Sequence, residues 1–119
     1  MKMLALSVKQ PWASMIASGE KTIETRVWYT GHRGDLLIVS SKNPSDQGPA
    51  GVALAVVKQA GCRIMGYDDE EAACCSVYDG AFAHVYENIR ALKEPFPVRG
   101  RQRLYWVEVE VEKLRFKGQ

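Results

Sequence analysis

Gly19-Glu20-Lys21-Thr22-Ile23-Glu24-Thr25-Arg26 crowds two cations and two carboxylates into eight residues. It stands where one periodicity gives way to another. Upstream, Trp12, Met15 and Ile16 recur at helical spacing. Pro11 suits the first turn of that helix, where its missing N–H costs nothing, and Gly19 is placed to end it in a left-handed conformation. Downstream the period becomes two, so a strand over 22–28 puts Ile23, Thr25 and Val27 on one face and Glu24, Arg26 and Trp28 on the other. A helix-to-strand junction of this kind holds charged side chains at the mouth of a cleft while both flanking elements fix the backbone. The pattern G-x-K-x-x-E-x-R is therefore read first as a site and second as a surface.

Working outward, residues 3–8 read as an entering strand and 35–41 as a mostly apolar one. The segment 42–49, with its Pro, Asn, Ser, Asp and Gly, is a loop. An apolar β-rich run over 51–62 could cross a barrel core. Residues 67–77 open on Asp68-Asp69-Glu70-Glu71, acids suited to a helix N-terminus and otherwise a solvated face. Alternation returns over 82–92, where Glu94-Pro95-Phe96-Pro97 is expected to break it, and over 104–111, where Tyr105, Val107, Val109 and Val111 oppose Trp106, Glu108 and Glu110. Strands of unequal length with few short helices predict an α+β fold: a small mixed or antiparallel β-barrel flanked by two or three short helices, residues 1–119 forming a single domain.

The 119 residues are 46% hydrophobic and 25% charged, an ordinary globular composition. A net charge of +2 is too mild to imply a polyanion partner by itself. Its distribution is more informative, because Arg99, Arg101 and Arg103 form a basic arm apart from the acidic run. No apolar stretch approaches the ~20 residues needed to span a bilayer, and the N-terminus does not read as a signal peptide. Cys62, Cys74 and Cys75 include no C-x-x-C and read as reduced thiols, so a cytoplasmic location is expected. His32 and His84 lack metal-ligand spacing, so neither a metal nor another cofactor is expected.

Four segments converge on one resemblance. Leu6-Ser-Val-Lys-Gln-Pro-Trp-Ala13, the motif 19–26, Arg33-Gly-Asp-Leu-Leu-Ile38 and Pro97-Val-Arg-Gly-Arg-Gln-Arg-Leu-Tyr-Trp106 closely resemble the ASCH domain family, with landmarks in the expected order over essentially the whole chain. The resemblance implies a β-barrel related to the PUA RNA-binding domain, with a cleft beside G-x-K-x-x-E-x-R. It implies RNA, a nucleotide or a modified nucleoside as partner. One bacterial branch hydrolyses N4-acetylcytidine, and ribonuclease activity is known in the family.

The residue chemistry fits a binding cleft. Lys21 supplies a mobile point charge and Arg26 a planar fork for phosphate, while Glu24 braces Arg26 along the strand or meets a base edge. Trp28 and Tyr29 offer stacking surfaces; Trp12 is read as core, and Trp106 as a barrel or interface residue. Arg99, Arg101 and Arg103, alternating on a strand, would project together as a phosphate-contacting arm or a solvent-facing strand start. Arg33 sits in a turn from which it could reach the same cleft; His32 there reads as a plain loop histidine. Glu87 reads as a strand-end surface acid, with a second carboxylate of the site as the alternative.

For hydrolysis the candidate catalytic pair is Lys21 and Glu24. Lys21 matches the lysine of the amidohydrolase branch, but Glu24 occupies the place of that branch's threonine, flanked by Thr22 and Thr25. Amide hydrolysis through a nucleophile needs a hydroxyl, a base and an oxyanion donor, of which only a cation and a base are secured. A metal-free ribonuclease could draw on Lys21, Tyr29 and Ser40 or Ser41. RNA or nucleotide binding ranks first, amidohydrolysis second and RNA cleavage third.

Overall fold

A computed structural model describes residues 1–42 and 47–119, so residues 43–46 of the loop read at 42–49 lie outside the described residues. Six strands form one mixed, curled sheet: β1 (Lys2–Val8), β2 (Ile23–Arg26), β3 (Gly34–Ser40), β4 (Val52–Ile64), β5 (Phe82–Pro97) and β6 (Leu104–Glu108), in the spatial order β2-β5-β4-β3-β1-β6. Only the β1–β3 pair is parallel, with Ala5 opposite Leu37. Helix α1 (Trp12–Ser18) forms part of the crossover between them, and a short α2 (Glu70–Ala73) follows β4. This is the expected α+β fold, its barrel open as a half-barrel with β2 and β6 as the edges.

The apolar run Leu36-Leu37-Ile38-Val39 is continuous because β3 is covered on both faces. Leu37 and Val39 join Met3, Ala5, Val56 and Tyr105 in one core cluster, closed by Leu114 and Phe116 from the C-terminal segment. Leu36 and Ile38 face the other way, where Leu6, Val8 and Val57 receive Ala13 and Ile16 of α1. A third cluster of Ile23, Met65, Ala73 and Ala83 packs α2 against β2 and β5.

Both ends of α1 follow from sequence chemistry. At its start the Gln10 side chain accepts the Ser14 amide at 2.9 Å and donates to Ser14 Oγ and the Pro49 carbonyl, satisfying an orphan N–H of the first turn. At its end Gly19 adopts φ 85°, as the spacing predicts, and donates to the Ile16 carbonyl.

Several boundaries differ from the sequence reading. β2 spans four residues rather than seven, so Lys21 and Trp28 flank it. The helix expected over 67–77 is one 3-10 turn (Tyr67–Asp69) plus α2, stopped where Cys74 turns left-handed at φ 57°. β5 runs through both prolines to Pro97. Its register moves from Ala55↔Ala91 to Ala53↔Phe96, so extra residues bulge out and Pro95 sits where no ladder N–H is demanded. There the C-terminal segment pairs with β5 instead, through Leu92↔Phe116 and the Lys93 N–H to the Arg115 carbonyl. β6 ends at Glu108, and a 3-10 turn (Val111–Lys113) exposes Val111.

Candidate nucleic-acid interface

The motif folds into a buried charge clamp. Lys21 is only 2% exposed. Its backbone N–H donates to the Met15 carbonyl of α1, and its ammonium donates to the carbonyl of Ala73. Ala73 ends α2, where carbonyls have no intrahelical partner, so the ammonium satisfies an otherwise orphaned acceptor. The same ammonium lies 3.5 Å from Glu24 Oε1. On the other side Arg26 Nε donates to Glu24 Oε2 at 2.9 Å, while Arg26 Nη2 donates to the Ser7 carbonyl of β1 at 2.8 Å. One carboxylate thus joins two cations, and the two cations tie α2, β2 and β1 together.

This clamp forms the floor of an open cleft of ≈ 800 Å³. Strand β1 and the turn into α1 contribute Ser7, Lys9 and Trp12 to its lining. The segment leading into β6 contributes Arg101, Gln102 and Arg103, and Trp28 lines the cleft beyond β2. The Arg103 guanidinium lies 5.8 Å from the Trp28 ring centroid, a cation–π arrangement. Thr25 and Cys75 also line the cleft, their Oγ1 and Sγ atoms 3.8 Å apart.

Trp28 is held from behind by a buried polar chain. His84, opposite Glu24 in the β2–β5 register, packs edge-on to the Trp28 indole at 4.8 Å between centroids. Its Nε2 lies 3.0 Å from the Trp28 carbonyl and its Nδ1 3.0 Å from the Gln59 amide nitrogen. A carbonyl only accepts and an amide nitrogen only donates, so this geometry selects the neutral Nε2–H tautomer. Burial accordingly holds His84 below its ordinary pKa, although the Trp28 carbonyl and Glu24 pull the other way.

The sign of the resulting pH dependence follows. Below the ordinary histidine value of about 6.5 the unfolded chain takes up a proton that folded His84 refuses, so stability falls as pH falls. A His84→Gln variant should lose that part of the slope, at most about 1.4 kcal/mol per pH unit. Urea unfolding at pH 7.5 and 5.5 measures it; an identical pH dependence in the two proteins would place the titrating group elsewhere.

The structure brings Lys21, Glu24, Arg26, Trp28, Arg101 and Arg103 to one cleft. Arg99 lines an adjoining groove instead. The three arginines do not alternate on a strand, because β6 begins only at Leu104 and Arg103 has φ 55°. Tyr29 and Arg33 lie outside the cleft lining: Arg33 donates to the carbonyls of Thr30 and His32, and Tyr29 packs edge-on to Phe82 at 6.0 Å. Ser40 is occupied by the Val52 backbone, so Lys21, Tyr29 and Ser40 do not assemble. Ser41, by contrast, lines the cleft, and Glu87 is exposed outside its lining.

Trp12 corrects the sequence reading. At 41% exposure it is not core, because it occupies the first residue of α1 on the cleft side while Ile16 takes the buried position. Lys9 also joins the cleft, although no motif singled it out. Among the described residues no group of His, Cys, Asp and Glu is arranged to hold a metal, and no helix is long and apolar enough to cross a membrane.

The six-stranded curled sheet has the PUA-like fold. The ASCH domain family model matches residues 6–114, and the chain belongs to that family, which is associated with RNA binding. It is 28% identical to activating signal cointegrator 1 of Homo sapiens and of Mus musculus, over 95% of its length, and spans about a quarter (24%) of those curated relatives. Among solved structures, ASCH from Zymomonas mobilis superposes with a TM-score of 0.70 at 15% identity, covering 89% of this chain and 87% of that one. A tyrosine-to-phenylalanine variant of the same bacterial protein gives 0.70 at 16% identity, with 91% of each chain covered.

Proposed function

We propose that the cleft binds single-stranded RNA or its nucleotides, with the base against the indoles of Trp28 and Trp12 and phosphate met by Lys9, Arg101 and Arg103. The carrying observation is the pairing of two indoles with exposed cations around one open cleft. In this reading Lys21 and Glu24 act one step back. Their charges are spent on each other, on Ala73 and on Arg26, and they fix the floor against which a base edge rests. Arg26, a quarter of whose side chain is exposed, is the member of the clamp that reaches the ligand.

Phosphate contacts make affinity fall with salt, by about 0.7 in logarithmic slope per contact on a single strand. Replacing Arg101 or Arg103 by alanine should lower that slope by roughly this amount each, measured by fluorescence anisotropy of a labelled single-stranded RNA across a salt series. Slopes unchanged in both variants would remove the phosphate assignment.

A second reading, deacylation of N4-acetylcytidine or a related nucleoside, draws support from Thr25, which lines the cleft together with Lys21. Glu24 is already engaged by Lys21 and Arg26, which commits its oxygens elsewhere. Incubation with N4-acetylcytidine and chromatography of the products decides: cytidine that disappears in a Thr25→Val variant establishes hydrolysis, and unchanged substrate leaves the binding reading.

A further inference from the structure

Beyond the cleft, the loop before β6 carries a basic surface that a mononucleotide would not use. A second groove, of ≈ 380 Å³, adjoins the cleft through Ser7, Ser41, Arg101 and Gln102. It adds Lys42 and Arg99, and among the described residues no carboxylate lines it. Its wall is fixed by close packing of the loop on β1: a Cβ at Gly100 would stand 2.9 Å from Ser7 Oγ, and that hydroxyl is already held by the Tyr105 hydroxyl at 2.7 Å. A third groove, of ≈ 320 Å³, then shares Arg99 and Arg101 with the second and is lined by Trp106, which is 66% exposed on edge strand β6.

The three grooves therefore run aromatic, basic, aromatic. Glu108 and Glu110 also line the third, with Glu108 paired to the Met1 ammonium at 3.3 Å and Lys113 contributing a further cation. An exposed indole joined to a nucleotide-sized cleft by a groove of cations matches the alternation of base and phosphate along one strand. An acidic peptide could pair with the cations of the middle groove, but it lacks the regular alternation of base and phosphate that the two flanking indoles match.

Resting on the nucleotide-binding reading of the cleft, we infer that Trp106 is a distal base-stacking platform. The ligand is then a single-stranded polynucleotide of about four nucleotides or more, which crosses from Trp28 to Trp106 with its backbone on Lys42, Arg99 and Arg101. The chain reads an extended strand rather than an isolated nucleoside.

The test compares two probes, cytidine 5′-monophosphate and a labelled hexacytidylate, against the parent chain and the variants Trp106→Ala, Arg99→Gln and Trp28→Ala. Expected are tighter binding of the hexamer than of the mononucleotide, a loss of about tenfold in hexamer affinity for Trp106→Ala, a smaller loss for Arg99→Gln, and mononucleotide affinity unchanged in both. Trp28→Ala should weaken both probes. Hexamer affinity untouched by Trp106→Ala and Arg99→Gln, with Trp28→Ala still damaging, would overturn the distal platform and leave the cleft. Binding of both probes insensitive to Trp28→Ala would overturn the cleft itself. Trp106 is mostly exposed, so circular dichroism of that variant should match the parent.

Discussion

Replacing Glu24 by glutamine should be among the most destabilising single substitutions in the molecule, costing about 3–5 kcal/mol. The carboxylate is buried and is the counter-charge of Lys21, whose ammonium would be left with neutral acceptors alone in a site almost closed to water. An uncompensated buried cation costs far more than a surface pair returns. Arg26 adds less, since part of its guanidinium can turn to solvent. For a chain of this size the loss corresponds to roughly 10–20 °C in melting temperature. A Lys21→Met, Glu24→Leu double variant removes both charges together and should lose less than Glu24→Gln alone, because apolar replacement of a buried pair is often nearly neutral. Denaturant unfolding of the three proteins measures it. A Glu24→Gln midpoint equal to the parent's would mean that the clamp does not hold the fold.

The largest expected effect on binding belongs to Trp28→Ala. Base–aromatic stacking is worth about 1–3 kcal/mol per base on truncation, or about 5- to 150-fold in affinity. Trp28 also carries the cation–π contact to Arg103, so the substitution removes a stacking surface and loosens a phosphate ligand at once. Its indole is half-buried and packed against His84, so Trp28→Phe serves as the companion: it fills part of the space, retains a π-face and should recover a good part of the affinity. Anisotropy titrations at fixed salt distinguish the two. Equal affinity in parent, alanine and phenylalanine proteins would show that no base stacks there.

Much of the fold was legible because its signals are local. Gly19, the alternation of β2 and the apolar run of β3 each follow from residues adjacent in sequence. The misplaced boundaries depended on distant partners. β5 passes Pro95 and Pro97 because it bulges away from β4 there and the C-terminal segment pairs with it instead, neither of which the proline pattern reveals.

The site divided in the same way. Spacing put Glu24 and Arg26 on one face, where they are hydrogen-bonded. It could not show that Lys21 turns inward, since that orientation is set by the Ala73 carbonyl, 52 residues along the chain. Trp12 was assigned to the core on helical period alone. The period fixes which residues share a face, but it does not say how far the covering strands extend over the helix's first turn. The turn holding Tyr29 and Arg33 likewise closes on its own carbonyls and ring contact rather than on the cleft.

The chain contains three tryptophans, which report two places: Trp12 and Trp28 the cleft, Trp106 the distal groove. Their indole N–H resonances in a ¹⁵N-labelled protein, followed during titration with cytidine 5′-monophosphate, test the central claim directly. The Trp12 and Trp28 signals should move in a saturable way while Trp106 stays in place. Saturable binding that leaves both cleft indoles unmoved, or an absence of binding by nucleotide and single-stranded RNA alike, would contradict the account.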